Sequence, residues 1–169
     1  MKVIETERLV LRRLHEGDAP LIVELLNDPA WLEHIGDRGV RSLEDARKYI
    51  ENVPLEMYAR LGFGLYLVEL KVGGVPIGVC GLLKRESLEH MDIGFALLPR
   101  FRGMGLAFEA AAGTMNYART AFGASRLVAI TSQGNFASGR LLEKLGFRFE
   151  RNLHMPPDSE ELRLYGAEL

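Results

Sequence analysis

Apolar positions along the chain change their spacing several times, and each change marks an element. "RLVLRRL", Arg8 to Leu14, carries its apolar residues close to the two-residue repeat of a strand. The following "EGDAPLIVELLND" offers Asp18 as a helix cap, Pro20 in the first turn and a helical run as far as Asn27. Turn residues crowd "NDPAWLEHIGDRGV". After it Ser42, with Asp45 three positions on, resembles a capping box and predicts a helix through about Arg60. "GFGLYLVEL" and "VPIGVCGLLKR" read as strands joined by the glycine turn of "KVGG", and "HMDIGFALL" adds a third strand, which makes an antiparallel meander. A helix from about Gly105 to Ala121, a strand over Arg126 to Thr131, a helix across "FASGRLLEKL" closed by Gly146, and strands near "FRFERNL" and "ELRLYGAEL" complete the chain.

A meander followed by alternating helix and strand predicts an α/β (α+β) arrangement, a mixed sheet with helices over its faces. The strand ending near Leu98 and the strand from Arg126 to Thr131 are joined through a helix, so they should lie side by side and parallel. No repeat, low-complexity tract or linker interrupts the 169 residues, which predicts one domain over residues 1–169.

Composition removes several function classes. With 21 basic against 23 acidic residues there is no global field for wrapping nucleic acid. Cys80 is the one cysteine, so neither an intramolecular disulfide nor a cysteine metal cluster is available, and within "IGVCGLL" it reads as a small core residue. No metal is expected. "MKVIETERLVLRRL" is charged throughout, unlike a secretory leader, and no apolar run reaches the roughly 18 residues of a membrane span. The expectation is a soluble cytoplasmic protein without a membrane partner. Apolar edge strands late in the chain are compatible with a homodimer.

The densest chemistry lies in "LLPRFRGMGLAFEAA". Gly103 and Gly105 let backbone approach a ligand, and the helix they open offers unpaired N–H groups and the positive end of its dipole. Arg100 and Arg102 add permanent positive charge suited to a diphosphate. A P-loop is excluded because no Lys followed by Ser or Thr comes after such a glycine pair. A dinucleotide fingerprint is disfavoured because Phe108 stands where the third glycine would pack. An arginine-led RxxGxG remains.

In order with "ETERLVLRRL", "DIGFALLP" and "NFASGRLLEKLGF", that motif resembles the GNAT superfamily of N-acetyltransferases over nearly the whole chain, and within it the Rim-type branch that acetylates ribosomal-protein N-termini. The resemblance implies a mostly antiparallel sheet of about six to seven strands, about four helices and a parallel pair splayed apart. It implies acetyl-CoA as cosubstrate. The pyrophosphate would be held by backbone of Arg102, Gly103, Met104, Gly105, Leu106 and Ala107 with Arg100 nearby, and the pantetheine arm would pair with Ala96, Leu97 and Leu98. Asn135 would contact the cofactor arm, and Ser138 would sit near the sulfur and assist the departing thiolate. The implied reaction is direct attack by an amine, without an acyl-enzyme, so Cys80 has no nucleophilic task.

That chemistry needs a neutral amine, an oxyanion donor and a leaving-group partner. The backbone N–H of Leu97 is the oxyanion candidate. Asp92 and Glu89 are candidate bases acting through water, with His90 beside them, and strand alternation separates Asp92 and His90 from Glu89 unless the turn intervenes. Each assignment has a plainer counterpart: Asn135 as a helix cap, Ser138 as a surface hydroxyl, Asp92 as a structural ion-pair partner. Trp31 and His34 are candidates for the acceptor pocket, and His154 for a loop histidine. The compact "ERNLHMPPDSEELRLYG" departs from the longer insertion of Rim-type relatives, so the acceptor stays open between a protein N-terminus and a small molecule. Asp158, Glu160 and Glu161 could draw a cationic amine there. A CoA-binding sensor that transfers no acetyl, or use of a different acyl-CoA, are the alternatives.

Overall fold

The computed structural model describes residues 2–155 and 160–169, so the expectation for Asp158 lies outside the described residues. Strands β1 (Lys2–Glu5) and β2 (Leu9–Arg12) lead into α1 (Ala19–Leu26), α2 (Pro29–His34) and α3 (Leu43–Ile50). A π-helical turn, Glu51–Leu55, connects α3 to α4 (Glu56–Leu61). The meander β3 (Leu65–Leu70), β4 (Pro76–Leu83) and β5 (Asp92–Leu97) follows, then α5 (Leu106–Phe122), β6 (Arg126–Ser132), α6 (Phe136–Lys144), β7 (Arg148–His154) and β8 (Glu161–Glu168).

These strands form one sheet in the order β1-β2-β3-β4-β5-β6-β8-β7, antiparallel everywhere except between β5 and β6. Alternation along β3 shows how two layers are covered. Tyr66 and Val68 join the core beneath α5 with Leu106, Ala110 and Ala118, whereas Leu67 joins the core of α1 and α3 with Ile22, Leu25 and Ile50. All these side chains are buried.

Several expectations need correction. Among the described residues the sheet has eight strands rather than six or seven, because the four-residue β1 is too short to show a strand pattern in the sequence. Counting α3 to α4 as one rod, five helices replace the expected four. The turn-rich stretch contains α2, started by Asp28, whose carboxylate accepts from the Ala30 N–H at 3.2 Å, with Pro29 in the first turn. Asp18 does not cap α1 through its side chain. It accepts from the His15 N–H at 2.9 Å and pairs with Arg12 at 2.8 Å instead.

The helix expected from Ser42 to Arg60 contains the π turn at Pro54, which lacks the N–H and crowds the preceding turn, so the wider loop absorbs it. Ser42 does cap its helix, accepting from the Asp45 N–H at 3.1 Å. Cys80 is fully buried against Thr114, and burial pushes its thiol up to about 12, as expected of a core residue. No helix among the described residues is long and apolar enough to cross a membrane.

Candidate active site

β5 and β6 begin as parallel neighbours and then separate. Their register holds only at Asp92 and Val128, where the Val128 N–H donates to the Met91 carbonyl at 3.0 Å. Beyond that point a cavity of about 720 Å³ opens between them, floored by Phe95 and Ala96 on one side and Ile130 and Thr131 on the other. The divergence leaves an open edge on β5. Leu98 N–H donates to Ile77 on β4 at 2.9 Å, so by alternation the peptide groups of Ala96 also face β4, while those of Phe95 and Leu97 face the split. The Leu97 carbonyl accepts from Arg102 Nε at 3.0 Å on that open side. Of the three residues expected to line the cofactor arm, Leu97 turns its peptide toward the split, and Phe95, which the motif did not single out, does the same.

The glycine loop sits past the end of β5. Gly103 and Gly105 both adopt left-handed backbone, with φ of 76° and 77°, which a side chain resists. Gly105 is the N-cap of the 17-residue α5 and supplies no side-chain cap. The first intrahelical bond at this end runs from Glu109 N–H to the Gly105 carbonyl at 3.1 Å, so the donors of Leu106, Ala107 and Phe108 are left without helical partners. Met104 is exposed and Leu106 is buried beneath the turn. This arrangement fits a diphosphate.

Both loop arginines already hold carboxylates. Arg102 reaches Asp28 at 2.7 Å, a residue only 8% exposed, and Arg100 reaches Glu24 on α1 at 2.6 Å while lying over the Phe101 ring. The loop is braced from behind by Arg8, which donates to the Met104 carbonyl at 3.1 Å and to Glu109 at 2.7 Å, with the Thr6 hydroxyl on the same carboxylate. Contacts spanning about a hundred residues of chain, such as Arg8 with Glu109, carry no local sequence signal.

Asp92 lies at the apex of the split, 2% exposed. Its Oδ2 accepts from Arg85 Nε at 3.3 Å, and its Oδ1 has no hydrogen-bond partner. Burial raises its pKa to about 6, with Arg85 pulling the other way. Glu89 is elsewhere: its side chain is 89% exposed on the turn before β5, loosely beside His90 at 3.9 Å, and neither lines the cavity. On the far wall Asn135 and Ser138 line the cavity together. Asn135 does cap α6, accepting from the Ser138 N–H at 3.2 Å, which leaves its exposed face toward the cavity. Trp31 and His34 reach the same cavity from α2, with His34 Nδ1 2.6 Å from the Ser132 hydroxyl.

Among the described residues, three buried side-chain polar atoms have no partner: Trp31 Nε1, Asp92 Oδ1 and Thr131 Oγ1. All three belong to residues that line this cavity. All three atoms are closed off from solvent, so residues around the cavity carry buried polar groups whose cost no partner offsets.

Residues 8–148 match the acetyltransferase (GNAT) domain family. Relatives in Bacillus subtilis include the uncharacterized protein YkkB, 30% identical over 88% of this chain and 86% of its own length, and the uncharacterized N-acetyltransferase YoaA, 28% identical over 88% and 84%. Among solved structures, a GNAT-family acetyltransferase from Bacillus anthracis superposes with a TM-score of 0.81 at 25% identity, covering 98% of this chain and 97% of that one. RimL, a ribosomal-protein alpha-N-acetyltransferase crystallised with coenzyme A, superposes at 0.83 over 100% and 98%, with 20% identity.

Proposed function

Because the chain belongs to the GNAT acetyltransferase family, whose members take the acetyl group from acetyl-CoA, we propose that it acetylates a primary amine, of a protein N-terminus or of a small molecule, by direct attack within a ternary complex. The observation that carries this reading is the buried Asp92 carboxylate, with one oxygen unpartnered, at the apex of an open strand pair whose edge presents Leu97.

The orphan donors of Leu106, Ala107 and Phe108 and the loop from Arg102 to Gly105, left-handed at Gly103 and Gly105, bind the diphosphate, and Phe95 and Leu97 pair with the pantetheine arm. The acceptor nitrogen attacks the thioester carbon, forming the N–C bond as the C–S bond breaks. Asp92, ionised above about pH 6, takes the proton that nitrogen releases, directly or through one water. The Leu97 N–H points into the split and stabilises the carbonyl oxygen as it gains charge. Ser138 hydrogen-bonds the departing thiolate from α6, where its hydroxyl has no partner among the described residues. Glu89 has no part in this scheme. The likeness to RimL in fold supports a Rim-type acceptor, a protein N-terminus, and the chain is read as one acetyltransferase domain acting in the cytoplasm.

Incubation with acetyl-CoA and a panel of small amines and short peptides, followed by mass spectrometry of acceptors and thiol titration of released CoA, tests this. Acetylated amine in equal amount to free CoA is the expected result. Tight CoA binding with no acetylated amine would replace the enzyme by a CoA-binding sensor, and transfer only from a longer acyl-CoA would change the donor.

A further inference from the structure

The cavity is polarised, and the polarity defines a substrate class. Its sheet floor carries the Asp92 carboxylate, while its helical wall carries a guanidinium and neutral polar groups. On that wall stand Trp31 of α2, Arg38 in the loop behind it, Tyr49 of α3 and Asn52 of the π turn. Trp31 Nε1 is buried without a partner. Arg38, the Tyr49 hydroxyl and the Asn52 amide make no hydrogen bond or ion pair among the described residues. Arg38 and Tyr49 line the same wall, where burial raises the pKa of the phenol and the Arg38 charge pulls the other way.

The charges of Asp45, Lys48, Lys84 and Arg85, which also line the cavity, are already engaged. Asp45 accepts from the Arg41 N–H at 3.0 Å, Lys48 faces Glu44 at 3.6 Å, and Arg85 is taken by Asp92. Lys84 donates to the carbonyls of Arg85 and Leu88. The π turn adds a geometric reason for the set: it widens the helix where Asn52 and Val53 face the cavity, and such turns concentrate at binding sites.

We propose that the acceptor carries a carboxylate as well as its amine, the amine directed to Asp92 on the floor and the carboxylate to Arg38, Tyr49 and Asn52 on the helical wall. Such an acceptor is an amino acid or a short peptide with an acidic group near its N-terminus. This rests on the acetyltransferase reading above. The volume suits it, since about 720 Å³ leaves room beside an acetyl group for a molecule of that size. A guanidinium fork with neighbouring neutral donors is the arrangement that recognises a planar carboxylate, and an amine without one leaves those donors unmet.

The test compares matched acceptors: phenylalanine and methionine against their amides, and the dipeptide amides Ser-Asp and Ser-Asn, each with acetyl-CoA and the full chain. The carboxylate member of at least one pair should have a kcat/KM about tenfold or more above its neutral partner, the difference lying in KM. The amino-acid and dipeptide arms separate the two sources of the carboxylate. Arg38→Gln should bring the ratio near one and Arg38→Glu should invert it, whereas Arg60→Gln, an equal change of charge away from the cavity, should leave it as in wild type. Calorimetric titration of the same pairs into the CoA complex should show the preference without turnover. Equal or better use of the neutral members, or a ratio indifferent to Arg38, would overturn the proposal while leaving the acetyltransferase intact. Absence of transfer to every amine, in protein that binds acetyl-CoA, would remove both.

Discussion

Burial of the Asp92 carboxyl raises its pKa to about 6 against the opposing pull of Arg85, and this makes separate predictions for stability and for rate. Between about pH 4 and 6 the folded chain holds a proton that the unfolded chain has released, so the contribution of this group to stability is present in acid and is lost as pH rises through 6. The difference is about 3 kcal/mol when complete, as an upper estimate. Asp92→Asn should therefore melt higher than wild type at pH 8, with the gap closing toward pH 4. The same variant should lose kcat by about a hundredfold or more and lose the acidic limb near pH 6 that the wild-type kcat/KM should show. A wild-type profile flat through pH 6 would remove Asp92 from the proton path. Asp92 became a candidate through the family resemblance, whose pattern usually has an acidic residue at this place before "IG". Strand alternation already set Glu89 apart from Asp92 in the sequence, and the turn before β5 leaves it in solvent. Of the residues on the helical wall only Trp31 was a candidate in the sequence, since Arg38, Tyr49 and Asn52 reach it from the loop after α2 and from the rod that begins with α3.

Elements whose apolar spacing is long and regular were read from the sequence to within a residue or two: α5, β6 and α6 are all where the pattern put them. Those it missed are short. β1 has four residues, and α2 has six with its cap and proline hidden among other turn residues, Asn27 and Asp28, that signal a loop equally well. The Pro54 π turn was not foreseen because its wider winding preserves the helical direction and hence most of the apolar period. The loop that opens α5 was foreseen, and its demand for glycine is testable. Gly105→Ala places a Cβ in left-handed backbone, costing about 1–2 kcal/mol, and that strain tilts the first-turn donors away from a diphosphate. Calorimetry should show acetyl-CoA bound about tenfold more weakly by this variant, beyond any loss in melting temperature. Lower stability with an unchanged Kd would mean that the first turn of α5 does not hold the diphosphate.

At the scale of the molecule, the eight-stranded sheet is continuous in hydrogen bonding except where β5 and β6 part after a single registered pair. The parallel neighbours followed from the helical crossover between them, but their divergence has no signature in strand periodicity and entered through the family resemblance alone. A split of this kind leaves buried groups unmet in the empty protein, so a ligand that fills it stabilises both halves together. At a hundred times its Kd, acetyl-CoA should add about 2.7 kcal/mol to unfolding, which for a chain of this length is a rise of about 5–10 °C in Tm. CoA should do nearly as well, because the diphosphate cradle and the open edge of β5 both lie on the part the two molecules share. NADPH, whose diphosphate sits in a different frame, should give no comparable shift. An acceptor amine should raise the melting temperature further only when CoA is already present, because the cavity floor is completed by the arm that lies between β5 and β6. An acceptor that shifts the empty protein as strongly would mean that its site is complete without the cofactor, and the dependence of acceptor binding on bound CoA would have to be abandoned in favour of two independent sites.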